Sequence, residues 1–523
     1  MERFFLFWHG EIMEHIWKEV DTGEIHIRDS WQLELKSDYL PLLNLKKNVH
    51  TQELFFFIPN ALLISNQTYN KQNFYDDQTT LIRLKTPKFT LEELNHPYNV
   101  DSPLSKIRTM QSLEPTTDNL PLVIQEYKLL SNIMRSALRD QTADLMQEIQ
   151  KFSHAKLNLS VLNEKITQFS RDLHALRLSF WEFQRIYEIK WKKTGLAEQI
   201  NYVDDFISHA INNYLTELLQ AIRRTKTDQM QHADQVISKI LVEEKQRRLN
   251  KYQEKDDHLD SPLQEETILY KEGLLNKFVL DALLLGINRS SLDYRLRDIS
   301  GGISAAVAML LYLLLFVWQG QVFINNSEPF ILFTVVIYVL KDRLKEGLRG
   351  VFYTQAYRWF SDYKTQIFSP IKKKSIGKMD ETFALISSHS LQKEISEIRN
   401  SDFHEIMPDF HRPESIIYYK QLIQLFRPKL IEETNSRSQG LHIIFRLELH
   451  RILQKASDAY EEYRTINPET NEVVVKRLPK IYHLNIIMRS TYPKDDLTKQ
   501  VDIRNFRVIV DKNGIKRIET LSH

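Results

Sequence analysis

Three groups of side chains have the composition of a catalytic or metal-binding site. His404-Glu405 is followed by Asp409 and His411; His9, Glu11, Glu14 and His15 share one amino-terminal stretch; His442, Glu448 and His450 recur along a β-patterned segment. Imidazole and carboxylate together supply acid–base pairs or ligands for a divalent ion. Their spacings favour neither. Two histidines holding zinc from one helix stand at i and i+4, and Pro408 interrupts the first group. The third falls on the face of a strand expected to meet solvent, where titratable groups are ordinarily just hydrated. Such coincidences are unsurprising among 17 histidines, so no metal and no cofactor is expected.

The chain has no cysteine, which removes thiolate catalysis, iron–sulfur clusters and cysteine zinc sites. It has 13 glycines, and the Gly301-Gly302 pair enters an apolar segment instead of following a strand, so no phosphate-cradling loop is formed. No Gly-x-Ser-x-Gly elbow is present either. Enzymatic activity is left open, with a non-enzymatic role favoured.

The elements that must position these residues begin with an apolar hairpin. Ile299–Trp318 holds 20 residues without a charge, about the length that crosses a hydrocarbon core as a helix. Phe330–Leu340 adds 11 strongly apolar residues after Pro329, and its apolar period continues through Leu344 and Leu348. Two transmembrane helices are therefore expected, at about 299–318 and 329–348, with a re-entrant second segment as the alternative. Gly301, Ala305 and Ala308, with a second pair Gly302 and Ala306, place small residues at helical spacing for close helix packing.

Arg289, Arg295 and Arg297 precede the hairpin, while Lys341, Arg343, Lys345 and Arg349 follow its apolar part; the connection Gln319–Glu328 has no Lys or Arg. The positive-inside rule then puts both termini in the cytosol. Lys341–Lys378 carries ten Lys/Arg against three Asp/Glu among many aromatics. Lys341, Arg343, Lys345, Arg349, Lys372, Lys373 and Lys374 are read as a basic surface for anionic lipid headgroups. Nucleic acid is the weaker reading, because 70 Lys+Arg against 68 Asp+Glu leave the whole chain near neutral. No cleaved signal is read at the amino terminus, where Glu2, His9 and Glu11 interrupt a short apolar run.

Leu162, Ile166, Phe169, Leu173, Leu176, Phe180, Phe183 and Tyr187 are spaced 4-3-4-3-4-3-4. This heptad seam demands a second helix alongside, from the same chain or from another copy. Val203, Ile207, Ala210, Tyr214, Leu218 and Ile222 offer a partner stripe, and the simplest picture is a helical hairpin.

The expected architecture is an α+β, multidomain integral membrane protein, with terminal β-rich domains flanking a long-helix bundle and a two-helix transmembrane hairpin. Its parts are a β or α+β domain over 1–118, a helical bundle over 119–260, and an amphipathic juxtamembrane helix, interfacial or packed, over 261–298. The hairpin over 299–348, a basic, aromatic helix and helical linker over 349–440, and an antiparallel β domain over 441–523 follow. The hairpin with Tyr338–Glu346 resembles bacterial membrane proteins of unassigned activity over about a tenth of the chain, a resemblance that identifies no activity and no site residue. The function expected is a scaffold or sensor anchored in a bacterial inner membrane, binding the bilayer and either its own copies or a protein partner. An oligomeric pore and a membrane-tethered enzyme without a recognisable motif are the alternatives.

Overall fold

A computed structural model describes residues 25–42, 45–154, 159–192, 194–225, 230–252, 262–322, 327–369, 374–401, 414–429, 440–494 and 498–521. The chain is mixed α+β, with β-sheets and long helices in separate regions.

Fourteen strands among these residues form two packed sheets and a separate ribbon. The first four are β1 (Ile25–Ile27), β2 (Gln32–Tyr39), β3 (Lys47–Pro59) and β4 (Gln78–Leu84). After the bundle come β5 (Gly286–Ser291), β6 (Tyr363–Phe368), β7 (Ser375–Ile386), β8 (Glu414–Phe426) and β9 (Leu441–Glu448). The chain ends with β10 (Tyr460–Ile466), β11 (Val473–Pro479), β12 (Tyr482–Pro493), β13 (Lys499–Asp511) and β14 (Gly514–Leu521). One sheet has the order β1-β2-β9-β4, the other β14-β13-β12-β3-β8-β7-β6-β5, and β10-β11 stands alone.

Alternation along β3 shows what joins the layers. Leu54, Phe56 and Ile58 point into a core shared with Leu33, Leu35, Phe445 and Leu447 of the smaller sheet. Phe55 and Phe57 point the other way, onto Ile395 of the helix Lys393–Ser401. A strand covered on both faces reads as a continuous apolar run. At the β13–β14 turn Gly514 has φ +114°, and a Cβ there would lie 2.0 Å from the Ser30 carbonyl oxygen; only glycine fits.

The helical region is inserted between β4 and β5. Its long helices are α1 (Leu120–His154), α2 (Leu159–Lys190), α3 (Leu196–Arg224), α4 (Gln231–Tyr252) and α5 (Pro262–Leu280). All eight seam residues from Leu162 to Tyr187 are buried in one core with α1, α3, α4 and α5, so the seam faces the chain's own helices. The simple pairing of α2 with α3 gives way to a larger bundle, because α3 is buried by α1 as well. At the start of the bundle, Thr90 and Glu93 form a reciprocal capping box.

Three expectations about the parts change. The strands expected in two separate terminal domains, 1–118 and 441–523, form one β unit, since β3 lies between β8 and β12 and β9 lies between β2 and β4, while Leu91, Leu94, Leu104 and Ile107 join the bundle core. The helical linker expected over 349–440 holds three strands, β6, β7 and β8, of the larger sheet; their backbone groups complete a ladder that a helix would leave open. Of the single helix expected over 261–298 only Pro262–Leu280 is helical before the strand β5; it is packed, with Leu275 and Val279 in the bundle core, and Asn132 Nδ2 donates to the Val279 carbonyl at 2.8 Å.

A helical hairpin joined to the edge of the sheet

The edge strand β5 and its neighbour β6 are antiparallel, with Ser291 opposite Tyr363. Where a two-residue turn would suffice, the chain runs out through α6 (Asp293–Val322) and back through α7 (Glu328–Trp359). These helices pack antiparallel. The Gly301 Cα is near Arg349, where an added Cβ would sit 3.7 Å from Nε. The Tyr312 and Tyr338 rings are 6.5 Å apart, and Gln319 Nε2 donates to the Phe330 carbonyl at 2.6 Å and to Thr334 Oγ1 at 2.7 Å. From Gly301 to Gln319 is about five turns, roughly 27 Å at about 1.5 Å per residue.

Among the described residues one helix, Arg297–Val322, is long and apolar enough to cross a membrane, and only 17 % of its most apolar stretch is buried. Leu310, Leu314 and Val317 are 62 %, 61 % and 62 % exposed. A core helix of a water-soluble domain would cover them. The return helix does not meet that standard as a second span. Its apolar part ends at Leu340, and Lys341, beside Tyr312, opens a charged stretch that runs back along the first helix to Gly301. An ionised side chain at the centre of a hydrocarbon core costs roughly 2.5–3.5 kcal/mol on insertion scales.

The small residues divide between two faces. Ser300, Ser304 and Ala308 are buried against α7, with Gly301 and Ala305 half-buried beside them. Gly302 and Ala306 point outward. The sequence reading named Gly301, Gly302, Ala305, Ala306 and Ala308 and missed the serines, although Ser300, Ser304 and Ala308 keep the i, i+4, i+8 spacing of a packing stripe. Each serine hydroxyl is satisfied within its own helix, Ser300 by the Arg297 carbonyl and Ser304 by the Ser300 carbonyl.

The basic residues also divide. Lys341 is half-buried, its Nζ 3.9 Å from the centre of the Tyr338 ring and 3.4 Å from Asp342. Arg343, Lys345 and Arg349 are exposed. Lys372 and Lys373 lie outside the described residues, and Lys374 sits in the β6–β7 connection. Gly286 and Phe368 pair at the end of β5 and β6 opposite the hairpin root, so Lys374 does not join the basic residues of α7.

A polar clamp holds the root. Arg289 on β5 meets Glu381 on β7 at 3.0 Å and lies over the Tyr363 ring at 4.0 Å. Tyr419 donates to Glu381 at 2.6 Å. Beside it, Asp362 accepts from Tyr75 at 2.9 Å, from Lys71 at 3.2 Å and from the Phe383 amide at 2.6 Å. Burial pushes the Glu381 carboxyl upward against the opposing pull of Arg289. Residues immediately before and after the hairpin are thereby tied to the sheet interior.

The densest other polar cluster lies in the bundle. Asp204, fully buried, accepts from Arg177 at 3.0 Å, Arg247 at 2.8 Å and Lys251 at 3.0 Å. Glu244 accepts from Arg177 at 3.0 Å and from Ser208 at 2.8 Å. Burial raises the Glu244 carboxyl, but Arg177 and Arg247 outweigh it and hold it low. Trp181 is stacked against both guanidinium groups at 4.7 and 5.2 Å, beside a cavity of about 110 Å³. The guanidinium donors are directed at carboxylates, which makes the network a structural tie between α2, α3 and α4.

The histidine groups do not converge. His442, expected on a solvent-facing strand face, is buried with Nδ1 2.5 Å from Asp38 Oδ1, because β9 is covered on both faces; Glu448 is exposed, and His450, beyond the end of β9, stands edge-on to Trp31 at 4.7 Å. The groups at 9–15 and 404–411 lie outside the described residues. Among the described residues no three His, Asp or Glu are gathered as a metal site. Comparison with protein-family models, curated proteins and solved structures found no match for this chain.

Proposed function

We propose that the protein is a membrane-anchored scaffold or sensor whose α6–α7 hairpin enters a bilayer while the bundle and the β unit remain together on the cytosolic side. The observation that carries this reading is the exposed apolar surface of Arg297–Val322, projecting from two neighbouring strands. Burial of apolar area stabilises by about 25 cal/mol per Å², and lipid is the medium that covers a helix exposed on all but one side.

The topology supports a common side for both flanks. Strands before the hairpin and strands after it pair in the same sheets, and a sheet cannot be divided by a bilayer. Both described flanks then share one side by chain connectivity, and Arg349, beside Gly301 at the hairpin root, favours the side with anionic headgroups. For partners, the β10–β11 ribbon offers a surface: among the described residues its two outer edges are unpaired, and it exposes Ile466 at 61 % and Val473 at 70 %.

Protease applied to sealed inside-out membrane vesicles tests the sidedness. Epitopes at both ends are expected to be removed together, while in right-side-out vesicles both survive. Removal of one end alone contradicts the shared β unit as well as the proposed anchor. A partner recovered with the full chain and lost when Tyr460–Pro479 is replaced by a short turn would support the ribbon as its docking site.

A further inference from the structure

The two helices of the hairpin change character at one common level. On α6 the proximal turns, Ser300–Ala308, are small residues apart from Ile303 and Val307, whereas Met309–Trp318 is dominated by leucine and aromatics. On α7 the distal half, Phe330–Leu340, is apolar and the proximal half carries Lys341, Asp342, Arg343, Lys345, Glu346 and Arg349. Ala308 and Ile337 are buried together near that level, with Lys341 one turn further on. The hairpin thus has a fatty distal half and a proximal collar made of outward-facing Gly302 and Ala306 on one helix and mixed charges on the other.

We infer that the collar is an interface between copies of this chain within the bilayer, in which the outward Gly302–Ala306 face and the mixed charges of α7 pack against the same surfaces of a second hairpin. This rests on the proposal that the hairpin enters a membrane. Three observations select a second copy over lipid. First, Asp342 and Glu346 stand among Lys341, Arg343 and Lys345, all but Lys341 exposed; a surface built for anionic headgroups alone has no use for exposed carboxylates, while a mixed set is complementary to itself. Second, small residues facing outward at the same depth allow close helix approach. Third, the connection 319–328 at the tip places Gln319, Gln321, Asn325, Asn326, Ser327 and Glu328 around a three-residue apolar run. Insertion only as deep as the fatty half, about 16 Å at about 1.5 Å per residue, would leave that tip near the middle of the bilayer. Full crossing delivers the tip to the far side and brings the charged collar into the membrane, where ionised groups face one another or water instead of lipid.

The absence of native cysteine makes the test direct. Single-cysteine forms of the full chain, Ala306→Cys, Leu314→Cys and Ser327→Cys, are reconstituted in phosphatidylcholine–phosphatidylglycerol vesicles at one protein per several thousand lipids. Membrane residence is scored first by flotation in the same samples. The inference predicts disulfide dimers at position 306 at least fivefold above position 314, and labelling of position 327 from the face opposite the β unit. The double variant Asp342→Lys with Glu346→Lys should lose the dimers at 306, and mixing it with Arg343→Glu plus Lys345→Glu should restore them as hetero-dimers. Flotation with equal, background cross-linking at 306 and 314 overturns the collar interface and leaves the anchor standing. Flotation with position 327 unreachable from the far face identifies shallow insertion and overturns it too. Failure to float removes the anchor itself.

Discussion

Replacing Asp204 by alanine should loosen the bundle far more than any surface change. Asp204 is fully buried and is shared by Arg177, Arg247 and Lys251. Its removal takes a carboxylate from all three cations, while Arg177, only 3 % exposed, and Arg247 keep Glu244. Removing one partner of a buried ion pair costs about 3–5 kcal/mol, since the remaining charge stays desolvated. At about 1.4 kcal/mol per tenfold change, amide exchange in α3 through its opening equilibrium should accelerate by roughly 150- to 4,000-fold. The control is Arg223→Ala, which breaks the exposed pair to Asp234; such pairs contribute about 0–1 kcal/mol, so its exchange should change less than about fivefold. Hydrogen exchange read by mass spectrometry on peptides from Leu196–Arg224 measures both. If Asp204→Ala behaves like Arg223→Ala, the network does not tie the bundle and the reasoning fails.

Further outcomes follow from the same geometry. His209 is buried between Asp205 at 3.4 Å and Glu272 at 3.0 Å, with Arg248 and Lys271 also close. Burial opposes its charge, but the two carboxylates outweigh burial and raise the imidazole to about 9. Its contribution is present below about pH 6.5 and lost as pH rises through about 9, so bundle stability should fall over that window by at most about 3 kcal/mol. His209→Gln should flatten the slope in urea titrations at each pH. His50 shows the opposite sign, because burial among Tyr39 and Tyr492 lowers it to about 4. The β unit should therefore weaken as pH falls from about 6.5 towards 4, and His50→Leu should remove that acid limb; an unchanged limb would assign it to carboxylates. Asp362→Ala leaves the Tyr75 hydroxyl and the Phe383 amide without an acceptor, a loss of about 2–4 kcal/mol. Proteolysis at the hairpin root should then rise by on the order of a hundredfold, without a matching change in the bundle.

The parts of this fold visible in the sequence are those with local periodicity. The heptads from Leu162 to Tyr187 and the alternation of Ile443, Phe445 and Leu447 each mark a buried face, and all are buried. The strand β8 carries the same alternation in Ile417, Tyr419, Ile423 and Leu425, interrupted by the polar Gln421. Gln421 is buried because its amide donates to Thr80 and Tyr419, both at 2.8 Å, partners that no local pattern reveals. Pairing of β3 with β12, as in Phe56 opposite Ile486, joins residues hundreds of positions apart. The clamp of Arg289, Glu381 and Asp362 is likewise assembled from separate strands. The hairpin was legible as an apolar pair, yet the depth at which Lys341 lies beside Tyr312 follows only from how the two helices are aligned.

Anchoring is tested most directly by removing the hairpin without disturbing the sheet. The Leu292 amide donates to the Asp362 carbonyl at 3.0 Å, so 293–361 can be exchanged for Asn-Gly, a turn suited to an antiparallel pair. Membranes holding the full chain or this variant are washed with alkaline carbonate and then extracted with detergent. The full chain is predicted to stay in the pellet until detergent is added, and the variant to appear folded in the carbonate wash or the initial soluble fraction. A full chain released by carbonate alone, or a folded variant that still requires detergent, would contradict the hairpin as the anchor.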